Sequence, residues 1–281
     1  MTLSRFSRAV LGAAVVLVLV LVYAPLAVVV ISSFSSSKTF GWPPPSYTLH
    51  WWGDAWSSGG ALHAVGVSVQ VGLLSMGLAL FLGTLLAFGL SRYRFFGRNS
   101  LSLLVILPIA LPGIVTGMAL KNAFEVMLGF QLGYFTLVVA HATFCVVVVF
   151  NNVVARLRRT SGSIVEASMD LGADGWQTFR HVTLPTIATA LVAGGLLAFA
   201  LSFDEIIVTN FVSGAELTLP KWIYNTIRLP KNRPAANAVA FIVIILSMIP
   251  VYFAQRLAGA GDTAAAPTRA IAPGGGATTG R

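Results

Sequence analysis

Two carboxylates stand where the surrounding sequence offers them little water. Asp204 and Glu205 interrupt the apolar run Phe-Ala-Leu-Ser-Phe-Asp-Glu-Ile-Ile-Val-Thr-Asn-Phe-Val at residues 199–212. An ionised carboxylate costs several kcal/mol to place in hydrocarbon, so such a group normally faces a cavity or a cationic partner. Ser202, Glu205 and Thr209 fall at i, i+3 and i+7 and share one face of a helix. Asp204 then lies about 100° round from Glu205. A straight helix cannot aim both carboxylates along one line. Either Asp204 lines the edge of a cavity or the helix is distorted there. Two anions on one path attract a cation by Coulomb's law. The structural alternative is an ion pair that braces an assembly. No apolar run of this chain holds Lys or Arg, so that cation would come from a second subunit.

The other informative cluster lies in the hydrophilic loop 156–185. It reads Glu166-Ala167-Ser168, three residues, Gly172, nine residues, then Val182-Thr183-Leu184-Pro185. Residues 163–171 predict a short helix, with Ser163 as N-cap and Glu166 three residues on as its capping-box partner. Gly172 can take the left-handed conformation that stops a helix. A second short helix is expected from about Asp174 to His181, ending near Pro185, where the next apolar run begins. Helix, glycine turn, helix makes a rigid knob.

Several absences narrow the chemistry. There is no G-x-x-x-x-G-K-[ST] loop to cradle a nucleotide phosphate, no H-E-x-x-H, and no clustered metal-ligand set. We expect neither catalysis nor a cofactor nor a metal from this chain. Cys145 is the sole cysteine and sits in an apolar run, which excludes a disulfide framework. His141 reads as a hydrogen-bonded core residue. Asn151 and Asn152 suggest hydrogen bonds between helices. Gly113-x-x-x-Gly117 is a close-packing signature, and Pro108 and Pro112 predict a kink beside it.

The elements that must position these residues are apolar helices. The 281 residues are 56% hydrophobic and 10% charged, with a mean hydropathy of +0.83. A soluble enzyme would be nearer 25% charged. Six runs approach the roughly 20 residues needed to cross a bilayer: 9–31, 64–90, 101–120, 133–155, 186–212 and 238–255. The first is longer than a signal-peptide core of 7–15 residues, so it reads as a retained anchor. The expected fold is therefore all-α: a multi-pass membrane protein of about six spans, with residues 1–8 ahead of a transmembrane region 9–257. Residues 258–281, rich in Ala, Gly, Thr and Pro, read as a disordered tail.

The net charge of +9 does not point to nucleic acid, because the basic residues sit in short clusters between apolar runs. With the N-terminus inside, twelve fall on the inner side: Arg5, Arg8, Arg92, Arg94, Arg98, Arg156, Arg158, Arg159, Arg180, Arg256, Arg269 and Arg281. Six fall outside: Lys38, Lys121, Lys221, Arg228, Lys231 and Arg233. That asymmetry puts both termini, and the loop 156–185, in the cytoplasm. Asp204 then lies about 27 Å from the cytoplasmic face, counting 1.5 Å per residue. The outer loop 32–63 carries Trp42, Trp51, Trp52 and Trp56, which favour the headgroup level or an external protein contact.

Residues 166–185 resemble the E-A-A-x3-G-x9-I-x-L-P motif of ABC importer permeases, with Ser168 in place of the third residue and Val182 in place of isoleucine. The resemblance implies that this loop is a coupling helix seated in an ATPase subunit, through Glu166, Ala167, Asp170, Gly172, Leu184 and Pro185. The stretches Leu-Ser-Phe-Asp-Glu at 201–205 and Thr218-Leu219-Pro220-Lys221-Trp222-Ile223 are similar to the second permease subunit of spermidine/putrescine importers. That resemblance covers residues 1–257. It implies a second permease, two ATP-binding cassette subunits and an extracytoplasmic substrate-binding protein as partners. It also implies a polyamine path through Ser202, Asp204, Glu205 and Thr209, and a cell-membrane location. Other solutes on the same machine (an iron complex, an opine, a sulfur-containing anion) remain, with an anion least compatible with the carboxylates. From other classes, an ion-coupled transporter using Asp204 and Glu205 is disfavoured by the motif spacing, and a membrane scaffold or insertase is separated by whether a nucleotide-binding subunit co-purifies.

Overall fold

The computed structural model describes residues 4–38, 41–57, 59–93, 95–228 and 233–263. Twelve α-helices occupy these residues: α1 Arg5–Ser33, α2 His50–Ser57, α3 Gly59–Arg92, α4 Arg98–Ala110, α5 Gly113–Asn122, α6 Tyr134–Arg159, α7 Gly162–Asp170, α8 Gly175–Thr178, α9 Leu184–Asp204, α10 Ile207–Val212, α11 Leu219–Ile227 and α12 Arg233–Thr263. Extended pairing among the described residues is confined to a single antiparallel bridge, Ser35 to Tyr47. The all-α multi-pass expectation holds.

Among the described residues four helices are long and apolar enough to cross a membrane: α1, α3, α6 and the continuous helix Gly175–Asp204. The third run departs from expectation. A span over 101–120 was expected with a proline kink; instead α4 and α5 meet at 106° across Leu111 and Pro112. Leu111 precedes proline and is extended (φ −80°, ψ 145°), the conformation that the proline ring imposes on its neighbour. The last run lies in α12, which extends to Thr263 and carries the apolar stretch Pro234–Leu246. Residues 264–281, most of the expected tail, lie outside the described residues.

α6 is the central helix. Leu137, Ala140, His141, Cys145, Val149 and Val153 are buried along it. α3 and α9 pack on either side. Lipid tails are as apolar as leucine, so helices associate through close backbone approach and polar contacts more than through hydrophobicity. The sequence supplies both. A Cβ on Gly83 of α3 would lie 2.9 Å from the Val146 carbonyl oxygen of α6, so only glycine permits that crossing. Ser75 donates to the Val138 carbonyl at 2.9 Å, and the Cys145 thiol to the Ala198 carbonyl at 3.2 Å. The Asn152 amide donates to the Val148 carbonyl of its own helix at 2.9 Å, and a Cβ on Gly194 of α9 would lie 3.3 Å from its Cβ. α1 is the opposite case, an outer helix with Val15 to Val22 exposed on all sides.

The tryptophan-rich loop is more than an interfacial anchor. Trp51 is buried and donates to the Ser35 carbonyl at 2.9 Å. Trp52 stacks on Phe34 at 5.2 Å and meets Phe241 edge-on at 5.6 Å, fastening α2 between α1 and α12. Trp42 is exposed.

Candidate functional site: a broken helix and an exposed knob

The expected span 186–212 is not one helix. α9 ends at Asp204, Glu205 is extended (ψ 118°), and α10 restarts at Ile207. The break resolves the problem of the two carboxylates. Asp204 and Glu205 both line one cleft of about 660 Å³, with Tyr23 of α1, Ala200 and Leu201 of α9, and Met248, Tyr252 and Gln255 of α12. The Glu205 carboxylate accepts the Val208 N–H at 2.9 Å through Oε1, which satisfies a free donor in the first turn of α10. Asp204 is exposed into the cleft. Tyr23 and Tyr252 were missed from sequence. Each is a tyrosine within an apolar run, indistinguishable there from a lipid-facing aromatic.

Ser202 and Thr209 do not join the carboxylates in the cleft. Both are buried and both bond His141: Ser202 Oγ lies 2.8 Å from Nδ1 and Thr209 Oγ1 lies 2.9 Å from Nε2. The i, i+3, i+7 face fails because the helix breaks inside it. His141 is the hydrogen-bonded core residue its setting suggested. α10 is also pressed against α5, where a Cβ on Gly113 would lie 3.3 Å from Ile207 and one on Gly117 would lie 2.6 Å from Phe211. That is what the Gly113-x-x-x-Gly117 signature is for.

The second candidate region projects from the other end of α9. The N-cap of α7 is Ser161, not Ser163; its hydroxyl accepts the Ser163 N–H at 3.3 Å. Glu166 therefore makes no capping box. At the far end Gly172 has φ +86°, and the Gly172 and Ala173 amides donate to Met169 and Ser168 at 2.9 and 3.1 Å. This pair of bonds is the glycine-stopped helix terminus. Asp174 then caps α8, with a reciprocal bond pair to Gln177 at 2.8 and 3.0 Å. The second helix does not stop near His181 or Pro185. It passes through a π-helical turn at Phe179–Thr183 straight into α9, and Pro185 is the second residue of α9, just past that turn. The knob is thus rigidly joined to the helix that carries Asp204.

Glu166, Ala167, Asp170, Gly172, Leu184 and Pro185 are all exposed. So are Ile164, Leu171 and Trp176, with Leu171 at 89%. They form an exposed apolar patch on a hydrophilic loop, the kind of feature found at interaction surfaces. Ser168, the departure from the motif, is 3.1 Å from the hydroxyl of buried Thr178 and ties α7 to α8. On the side of α10 away from the knob, Lys221 of α11 donates to Ser213 Oγ at 2.6 Å and to the Gly214 and Glu216 carbonyls at 3.2 Å. Partial burial pushes its ammonium below the usual lysine range, only partly offset by nearby Glu216. One of the basic residues that dilutes the charge asymmetry is therefore a tie within its own loop.

A body of membrane-length apolar helices with a glycine-turned knob on a long hydrophilic loop fits a multi-pass membrane permease. The chain belongs to the family of binding-protein-dependent transport system inner membrane components, whose pattern matches residues 79–260. It is a multi-pass permease subunit of an ABC importer. It is 36% identical over 250 residues to the putrescine transport system permease protein PotI of Escherichia coli K12, covering 83% of this chain and 86% of that one. It is 33% identical over 237 residues to the spermidine/putrescine transport system permease protein PotC of the same strain, covering 84% and 89%. Among solved structures, a chain of a bacterial ABC transporter that imports the acidic polysaccharide alginate superposes with a TM-score of 0.68, over 91% of this chain and 99% of that one. At 16% identity that likeness concerns the fold alone.

Proposed function

We propose that this subunit carries polyamines, putrescine or spermidine, as the second permease of a five-subunit importer. Its partners are another permease, two ATP-binding cassette subunits and an extracytoplasmic binding protein. The observation that carries the reading is the shared cleft of Asp204 and Glu205. Two adjacent carboxylates opening on one cavity favour a dication by Coulomb attraction. The faces and hydroxyls of Tyr23 and Tyr252 suit alkylammonium groups, which aromatic rings attract. The relatives that transport putrescine and spermidine support the same solute class.

Both termini and the α7 knob lie in the cytoplasm on this reading. The knob docks an ATPase through Glu166 to Gly172, with Leu171 and Trp176 as its apolar anchors. Because the knob continues into α9, closure of the ATPases moves the helix that ends at Asp204, and the carboxylate site opens alternately to each side. The chain contains no nucleotide-phosphate loop, so ATP is hydrolysed by the cassette subunits.

The test is expression with the partner subunits, purification, and uptake of radiolabelled putrescine and spermidine into liposomes. Co-purification of a nucleotide-binding subunit and ATP-dependent polyamine uptake are expected. A complex that assembles and hydrolyses ATP, yet imports neither amine, would contradict the substrate assignment while leaving the architecture standing.

A further inference from the structure

We infer that His141 is a positioning residue that sets the bend between α9 and α10 and so holds the carboxylates in register; this rests on reading Asp204 and Glu205 as cation-binding groups. The helix break has no proline or glycine within it. Across residues 204–206 the backbone ladder is interrupted, so the ladder alone does not fix the angle between the two segments. His141 touches both sides of that gap. Ser202 lies two residues before Asp204, and Thr209 lies four residues after Glu205.

The hydrogen bonds have one consistent direction. Thr209 Oγ1 donates its only proton to the Glu205 carbonyl at 2.7 Å. It must therefore accept from His141, which places the imidazole proton on Nε2. A neutral ring then accepts the Ser202 hydroxyl at Nδ1. The chain runs Ser202 to His141 to Thr209 to the backbone of Glu205, with every member satisfied. The Glu205 carboxylate is itself bonded to the Val208 N–H, so it moves with α10. Fixing α10 through Thr209 fixes the carboxylate. His141 is only 1% exposed and does not line the cleft, so its contribution reaches the cation through Glu205.

A double-mutant cycle on polyamine uptake by the complete complex tests this, using His141→Ala, Glu205→Gln and the pair, with uptake corrected for the amount of assembled complex. His141→Ala should lower uptake about tenfold in the wild-type background and add little in the Glu205→Gln background, the non-additivity of residues that act as one unit. His141→Asn keeps an acceptor near Ser202 and His141→Gln keeps a donor near Thr209, so each should recover part of the loss. Multiplying losses in the double mutant, or equal defects in all three His141 variants, would overturn the inference and leave a structural histidine. If His141→Ala does not assemble, the cycle is run with His141→Asn, and failure of that variant to assemble also overturns it. Unimpaired uptake by Glu205→Gln would remove the carboxylate reading and this inference together. Impaired Glu205→Gln beside unimpaired His141→Ala would remove this inference alone.

Discussion

The chain interrupts a helix at Gly172 and again at Asp204–Glu205, and the two interruptions have different origins. At Gly172 the residue type is the cause: φ is +86°, and a Cβ there would meet nothing within 4 Å. Local chemistry makes the turn, whatever surrounds it. At Asp204–Glu205 no residue type demands a break. Contacts from outside make it: the hydroxyl–imidazole chain from α6 and the glycine face of α5, where Gly117 approaches Phe211. The first kind of break produces a stiff, exposed knob. The second produces an angle at the cleft wall that can be moved by whatever moves its neighbours.

Substitution at the two glycines sharpens that contrast. Of the two, Gly172→Val should have the larger effect on transport, since a β-branched residue in the left-handed region costs roughly 1–2 kcal/mol and has no alternative geometry that keeps the turn. Such a cost corresponds to about a five- to thirtyfold change in population. Transport by the complex should fall on that scale while membrane insertion is kept, measured as uptake per inserted complex. Gly172→Asn, which tolerates the same conformation, should retain most of the activity. Equal activity of Val and wild type would mean that the turn is not what couples.

Gly117→Ala probes the opposite mechanism. Gly117 lies within a right-handed helix, so the added methyl carries no backbone strain of its own. It would meet Phe211 at 2.6 Å, and overpacking of this kind costs about 1–3 kcal/mol. The expected outcome is a lower melting temperature of the purified complex. An unchanged melting temperature would show that α5 and α10 are free to separate and that α10 is not held as described.

Ser168→Ala should have the smallest effect. It restores the residue type of the motif and removes one hydroxyl contact to Thr178, about 0.5–1.5 kcal/mol. Uptake should stay near wild type, with at most a small loss of thermal stability. A large transport defect would make Ser168 part of the docking surface in its own right.

These contrasts also explain what was legible in the sequence. Gly172 and the apolar spans were, because a left-handed turn and a lipid-facing helix are encoded residue by residue. The bend at Leu111–Pro112 was legible as a kink but not as a reversal of 106°, since proline dictates the extended residue and not the angle that packing then selects. Ser163 was a plausible cap by type, yet Ser161 takes that place, because helix starts tolerate shifts of a residue or two. The Asp204–Glu205 pair was visible as charge in an apolar run. That Ser202 and Thr209 turn away to His141 was not, because the straight-helix periodicity that grouped them stops at residue 204. Tyr23 and Tyr252 come to the cleft from 180 or more residues earlier and about 50 later in the chain, a juxtaposition no local pattern records.

The central claim is that one cleft holds both carboxylates for a cation in transit. The direct test is ATP-driven uptake of radiolabelled putrescine by the reconstituted complex carrying Asp204→Asn and Glu205→Gln together. Losing a desolvated charge partner costs about 2–5 kcal/mol, and a hydrated cleft favours the lower end. The account predicts a complex of normal composition and stability whose uptake is reduced at least about tenfold. An intact complex with wild-type uptake would contradict it, and a complex that falls apart would instead assign the two carboxylates to bracing the second permease.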